Sequence, residues 1–456
     1  MDATITKLIE DNLPSKNKEK TELGEVFTPI HLISNIYAHF PPTILKDSTL
    51  TWIDPACGIG NFTLVLFFKL METLRTKMPN DVKRATHIIE KMLFMVEINT
   101  ANVAICKKLF KKICPTAVPN IHCGNFLHLD TNRLGWPEKF DCIVGNPPYN
   151  IGGTARDGTK RTHVVFTEHG LKHITDTGFI AYICPPSYRE TDSTMNKLFR
   201  DANGHFVYIK IYGPNETYSL FRVQGRVDAF IYQKSKKGLT TIDDEYNIIS
   251  KSDIDLSRHI PNFGLSIFDK LHDKVASLGK VSAFRNTEMS SVKKDVCVKG
   301  NNKVLHLIIE KGRRIFKTAK KHSMTDTPKL LVNGLGLPYA YYDKGEYGPS
   351  QTPVIVLKPS ANLVNFVKSD FFPFIAWGLR LTGNNNLPYL FDYIPDVSKE
   401  KNSYKTMEQI KTGLKLTDKE MKFITEHFHA YKYTDADVVE PCKKKTLKAL
   451  KALKKK

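Results

Sequence analysis

Asp141-Cys-Ile-Val-Gly-Asn-Pro-Pro-Tyr149 is the stretch on which the fold turns. Cys142 to Val144 is a short apolar run, β-branched enough for a buried strand, and Gly145 ends it ahead of Asn146. Pro147 and Pro148 hold the backbone stiffly extended, because each ring fixes φ and steers the preceding residue away from helix. The expectation is a rigid pair of hydrogen-bond acceptors, the Asn146 amide and the Pro147 carbonyl, at a strand's carboxyl end with the Tyr149 ring beside them. Such a clamp suits a planar, amino-bearing base.

Three more strand ends precede it. Leu50 to Ile53 reads as a buried strand, and Asp54-Pro-Ala-Cys-Gly-Ile-Gly-Asn-Phe62 turns it into an apolar helix running to about Met78. Gly58 and Gly60 would let a ligand approach the backbone closely, and a helix N-terminus favours an anionic group. The loop lacks the GxGxxG spacing of a dinucleotide site, which argues against NAD. Leu93-Phe-Met-Val96 ends in Glu97, placed to accept hydrogen bonds from ribose hydroxyls. The interval exceeds the ~20 residues of the nucleotide fingerprint, and the polar stretch Lys77 to Lys91 reads as the insertion responsible. In Ile121-His-Cys-Gly-Asn-Phe126, Asn125 would serve an adenine amino group and Phe126 its ring; an ordinary turn with a core Phe fits equally. Further upstream, Thr28 is expected to cap a helix with Pro29 at its first position, followed by Ile30, Ile33, Tyr37 and Phe40 at helical spacing.

Downstream, Asn150 to Arg161 is rich in glycine and basic residues, including Arg156, Lys160 and Arg161, and is expected to be a loop that closes over nucleic acid. Helix Val164 to Ile174 and strands Gly178 to Cys184, His205 to Ile211 and Val227 to Gln233 continue the α/β alternation of a doubly wound sheet. The polar stretch Ser235 to Glu245 is the expected domain boundary. Beyond it the alternation fades, and basic residues recur from Lys280 to Lys321, densest around Arg313 and Arg314. Tyr339, Tyr341, Tyr342 and Tyr347 follow, and basic residues interleaved with aromatics predict a nucleic-acid surface. A turn at Gly383 to Pro388 and a last helix after Thr417-Asp418 precede a tail of Lys, Leu and Ala. The expected division is a polar lead over 1–22, a catalytic domain over 23–236, a second domain over 247–440 and a basic tail over 441–456.

Composition narrows the function classes. A formal net charge of +20 over 456 residues points to nucleic acid as partner, since cations that neutralise phosphates release counterions. No apolar run approaches the roughly 20 residues of a membrane span, and the first 20 residues are unlike a signal peptide, so a soluble cytoplasmic protein with no membrane partner is expected. Eight cysteines without a CxxC pair read as reduced thiols, with no metal site indicated.

Asp54-Pro-Ala-Cys-Gly-Ile-Gly60, then Glu97, then Asn146-Pro-Pro-Tyr149, preceded by Phe27-Thr-Pro29, resembles the DNA amino-methyltransferases in the motif order of their gamma class, the TaqI-like enzymes and parts of restriction-modification systems. The resemblance is specific over about residues 22–234. It implies a Rossmann-like, mostly parallel α/β methyltransferase domain followed by a mixed α+β target-recognition domain. It implies S-adenosyl-L-methionine as cofactor, held by Thr28, Asp54, Pro55, Ala56, Gly58 and Gly60 at its methionine portion, Glu97 at the ribose and Asn125 with Phe126 at the adenine. Asn125 stands where the family usually has Asp, which keeps an acceptor but loses the charge. Asn146 and Pro147 would then hold the N6 amine of an adenine flipped out of double-stranded DNA, with Tyr149 stacking on it and Phe221 either a second stacking ring or a core residue at a strand's edge. Arg156, Lys160, Arg161, Arg313 and Arg314 are the expected DNA contacts, a cognate restriction endonuclease a partner the resemblance allows, and a monomer the expected state. Rival readings are methylation of a release-factor glutamine or an RNA base, and an inert DNA-binding subunit.

Overall fold

The computed structural model describes residue 7 and residues 28–149, 161–289, 300–381 and 388–439. The rest of the lead, residues 150–160 with Arg156 and Lys160, 290–299, 382–387 and those from 440 onward lie outside them. The chain divides into two compact units between Phe263 and Gly264.

The first unit is a nine-stranded sheet in the order β3-β2-β1-β4-β5-β7-β6-β8-β9. Its strands are β1 (Trp52–Asp54), β2 (Leu93–Glu97), β3 (Asn120–Cys123), β4 (Phe140–Gly145), β5 (Ile174–Cys184), β6 (His205–Tyr212), β7 (Val227–Gln233), β8 (Thr240–Asp243) and β9 (Ile249–Ser252). β3 to β5 in that order pair parallel, and β7 runs antiparallel to both its neighbours. The order reverses between β1 and β4, and a doubly wound sheet binds its ligands in the crevice at that switch point, outside the carboxyl ends. Helices α1 (Ile30–Ala38), α2 (Asn61–Thr73), α3 (Asp81–His87), α4 (Thr100–Ile113), α5 (Thr131–Leu134), α6 (Thr162–His173), α7 (Thr194–Asp201) and α8 (Pro214–Phe221) connect the strands.

Local chemistry explains these elements. β1 and β2 are buried at every residue, so they read as continuous apolar runs. α2 is buried from Asn61 to Phe67 and at Leu70, as a helix apolar on all sides must be. Gly60 precedes it at φ 94°, where a Cβ would lie 2.7 Å from Cys106 Sγ, so glycine is required twice over. The helix ends at Thr73, short of the expected Met78. The polar stretch Lys77 to Lys91 is helical from Asp81 onward, started by the Asn80 side chain accepting from the Lys83 N–H.

The expected boundary at Ser235 to Glu245 is displaced. Thr240–Asp243 forms β8 inside the first sheet, parallel to β6, and the first unit continues to Phe263. Its polar character has a physical source: Asp243 pairs with the buried Lys210 at 3.0 Å, and Glu245 with the buried Arg226 at 2.7 Å. Arg189, fully buried, donates to the Asn262 side chain at 2.9 Å and to the Ile260 carbonyl at 3.3 Å, and pairs with Asp228 of β7 at 2.8 Å. Residues up to Phe263 are thus stitched to the sheet by ion pairs and hydrogen bonds whose partners lie far apart in sequence, so the polar composition of Ser235 to Glu245 alone reads as a boundary.

The second unit is mixed. One sheet runs β10-β16-β13-β14 and another β15-β11-β12-β17, built from β10 (Phe284–Arg285), β11 (Asn302–Ile309), β12 (Gly312–Thr318), β13 (Lys329–Val332), β14 (Ala340–Asp343), β15 (Tyr347–Pro349), β16 (Val354–Leu357) and β17 (Asp437–Val439). Five helices accompany them: α9 (Leu265–Leu278), α10 (Ala361–Lys368), α11 (Phe371–Gly378), α12 (Met407–Leu414) and α13 (Asp418–His427). α13 starts where Thr417-Asp418 predicts, with Thr417 and Glu420 forming a capping box.

Candidate active site

The carboxyl ends of β1, β2 and β4 carry Asp54, Glu97 and Gly145 side by side. A Cβ on Gly145 would stand 2.7 Å from Asp54 Oδ1, so only glycine lets the two strand ends approach this closely. Asp54 is buried, and its Oδ1 accepts from the Ala56 N–H at 3.1 Å. Burial pushes its carboxyl well above the usual range, with Glu97's charge adding to the rise against that hydrogen bond. Among the described residues no cationic side chain pairs with Asp54, so a cationic ligand group would relieve it. Glu97 accepts from the Gly58 N–H at 2.8 Å and from the Asn99 N–H at 2.7 Å. The Cys57 N–H donates to the Val96 carbonyl at 3.0 Å, and the glycine loop is pinned across the end of β2. Gly58, at φ 55°, faces open space, since an added Cβ would meet nothing within 4 Å. Pro55 is buried, and Ala56 and Gly58 are half-exposed on the same loop.

Thr28 does not cap α1. The helix begins at Ile30 with Pro29 at its cap position and no side-chain cap. The Thr28 hydroxyl instead accepts from Asn146 Nδ2 at 3.1 Å, and its carbonyl accepts from Asn61 Nδ2 at 3.4 Å. Donation to Thr28 fixes which edge of the Asn146 amide faces away, leaving the carbonyl edge oriented as an acceptor. Pro147 is buried, and Asn146, Pro148 and Tyr149 are half-buried. Burial pushes the Tyr149 phenol well up, opposed by the Asn146 side chain. The Tyr149 carbonyl accepts from the Thr162 N–H at 3.1 Å and lies 3.3 Å from His163 Nδ1.

The remaining expected residues divide. Asn125 caps the turn after β3, accepting from the Leu127 N–H at 3.0 Å. Phe126 is buried against Phe166 and His169, the core position that was one of its two readings. Phe221, at the end of α8, is likewise buried, edge-on to Tyr212 at 6.0 Å, and this packing is what the structure gives it instead of an exposed stacking face. Arg161 is exposed at the start of α6. Two residues escaped sequence reading. Ile98, directly after Glu97 at the carboxyl end of β2, is 68% exposed, an apolar side chain whose signal is its place after the acidic strand end. His163 had none, because its partners lie 14 and 24 residues away.

Part of the expected basic surface is closed by carboxylates. Arg313 is buried, paired with Asp435 and with Asp437 at 3.0 Å, and stacked over the Tyr341 ring at 4.8 Å. Lys303 pairs with Glu346 and Asp437, Lys280 with Asp392 and Lys321 with Asp326. Arg314 is half-buried on the other face of β12. Tyr347 and Tyr339 are buried, and Tyr341 packs against the same cluster. Arg313 and these tyrosines are therefore core of the second unit, because strands β12 and β17 bring carboxylates 122 and 124 residues away against the guanidinium.

The fold defines a class, a Rossmann-like α/β domain of the methyltransferase type, and a glycine loop, an acidic strand end and Asn146 lie around its switch point. Residues 8–194 match the family described as N-6 DNA Methylase. A type II methyltransferase, M.VspI, of a Vibrio species is 24% identical over 196 residues, 40% of this chain and 42% of that protein. An uncharacterized adenine-specific methylase of Mycoplasma pneumoniae is 22% identical over 348 residues, 55% of this chain and 82% of the relative. Thus the chain spans less than half the length of the Vibrio relative. Among solved structures, the type IIL restriction-modification enzyme MmeI in complex with DNA is similar at a TM-score of 0.48 and 12% identity, over 93% of this chain and 74% of that one. The M protein of the type I restriction enzyme EcoKI gives 0.37 and 17%, over 48% of each chain. No helix among the described residues is long and apolar enough to cross a membrane.

Proposed function

We propose that this chain is a site-specific DNA methyltransferase that transfers a methyl group from S-adenosyl-L-methionine to the exocyclic N6 of an adenine flipped out of the duplex. The observation that carries the reading is the convergence at one switch point of the buried Asp54, the backbone-held Glu97 and an Asn146 amide oriented by Thr28. The residues present fit the cofactor. Asp54 suits its cationic end, Glu97 its ribose hydroxyls, and Ile98 offers the apolar surface for its adenine that the buried Phe126 does not. When bound, the cofactor supplies an electrophilic methyl carbon on a sulfonium leaving group, so the protein needs to orient the amine more than to activate it.

Asn146 and the Pro147 carbonyl accept the two amine hydrogens and fix the direction of the nitrogen lone pair. Tyr149 stacks on the extruded base and offsets part of the few kcal/mol that unstacking costs. Gly264 to the C-terminus serves as the target-recognition unit, and cations outside the Arg313 cluster, the exposed Arg161 among them, meet the phosphates. Incubation with methyl-labelled cofactor and mixed-sequence duplex DNA, followed by digestion to nucleosides, tests the reading. Label in N6-methyladenine supports it; label in cytosine or in no nucleoside contradicts it.

A further inference from the structure

We propose that His163 is a positioning residue for this clamp, fastening the Tyr149 carbonyl to the segment that begins at Ser187; the inference rests on the methyltransferase reading above. Pro147 and Pro148 stiffen the turn up to Tyr149, but they do not set the peptide plane that follows it. Two donors converge there. The Thr162 N–H and His163 Nδ1 both meet the Tyr149 carbonyl, at 3.1 and 3.3 Å. A carbonyl can only accept, so the ring proton sits on Nδ1 and Nε2 is the acceptor. Nε2 lies 3.0 Å from the Ser187 hydroxyl, which donates to it.

Ser187 is itself fixed. It is buried, its carbonyl accepts from the Ser193 hydroxyl, and Met195 Sδ stands 3.3 Å from its oxygen. The next two residues, Tyr188 and Arg189, hydrogen-bond to Asp228 of β7. The clamp at the end of β4 is thereby tied, through one imidazole, to a strand two places further along the sheet. The Tyr149 and His163 rings meet edge to face at 6.3 Å and 81°, which also limits how far the Tyr149 ring can turn. His163 is 1% exposed, and burial holds its pKa to about 4, so the imidazole is neutral at neutral pH and the two contacts select its tautomer. A misplacement of about 1 Å at a positioning group costs on the order of 100-fold in rate.

The test compares full-length wild type, His163→Ala, His163→Asn and Ser187→Ala. Asparagine carries an N–H close to the place of Nδ1, so His163→Asn recovers the bond to Tyr149 that His163→Ala loses. The expected result is a fall in kcat of about 10- to 100-fold for His163→Ala, with KM for the cofactor unchanged, recovery to within several-fold in His163→Asn, and a smaller loss in Ser187→Ala. Amide hydrogen exchange at Thr162 is expected to quicken in His163→Ala. Turnover of His163→Ala within twofold of wild type, or equal losses in both His163 variants matched by equal losses of Tm, would overturn the proposal. If the wild type methylates no DNA, the functional reading fails, and the exchange rate at Thr162 still decides whether His163 fastens Tyr149: an unchanged rate refutes it.

Discussion

The carboxyl edge of the first sheet and the β11–β12 hairpin of the second unit both hold charged side chains in buried or half-buried surroundings, and they satisfy them differently. At the edge, Asp54 and Glu97 take hydrogen bonds from backbone N–H groups of the loops beside them. In the hairpin, Arg313 and Lys303 are met by the carboxylates of Asp435, Asp437 and Glu346. A carboxylate held by backbone donors shapes a loop and keeps its charge available to a ligand. A cation closed by carboxylates is a structural bolt. Charge density along the chain therefore does not mark an interface by itself; what closes the charge does.

The sharpest way to break this contrast is Asn146→Ala. Removing the amide is expected to lower methyl transfer by roughly 1,000-fold, the scale of losing one preorganised group at a reacting centre, with Tm and cofactor affinity nearly unchanged. A large fall in Tm would make the clamp another structural bolt.

Next in size is a pH effect within the edge's own scaffold. His163 has a folded pKa of about 4 against an ordinary 6.5, so between those values the unfolded chain binds the proton and the folded chain does not. Its contribution is complete above pH 6.5 and is lost as pH falls toward 4, by up to about 3 kcal/mol. Urea unfolding of wild type and His163→Asn across that range isolates the effect, and parallel curves would remove His163 from the account.

Arg313→Ala probes the hairpin. It is expected to cost about 2 kcal/mol of stability, from lost ion pairs and ring stacking, while the salt dependence of DNA binding stays that of wild type. A slope reduced by about one would return Arg313 to the DNA surface. Smallest is Thr28→Val, which removes the partner of Asn146 Nδ2 while keeping the side chain's shape. One hydrogen bond of about 1 kcal/mol corresponds to a several-fold loss in kcat. A loss in cofactor affinity alone would assign Thr28 to the cofactor instead.

What was legible in the sequence follows the same division. Strand ends β1, β2 and β4 were readable because an apolar run, a glycine and one polar residue signal them within a few positions of each other. The role of Thr28 was half legible: its place before Pro29 suggested a cap, whereas its true partner Asn146 is 118 residues away. The boundary was misplaced because Asp243 and Glu245 look solvated until Lys210 and Arg226 are seen against them. Arg313 looks like a DNA contact in the sequence for the same reason, its carboxylates lying on β17 and just before it. Local signals carry the edge of the sheet; long-range ion pairs, which leave only composition behind, misled elsewhere.

The central claim is that the Asn146 clamp methylates adenine at a defined DNA sequence. Sequencing DNA from cells that express the chain, by a method that detects modified bases, tests it most directly. The expected result is N6-methyladenine at one short motif with wild type and its disappearance with Asn146→Ala. No modified motif with wild type, or the same motif still modified with Asn146→Ala, would contradict it.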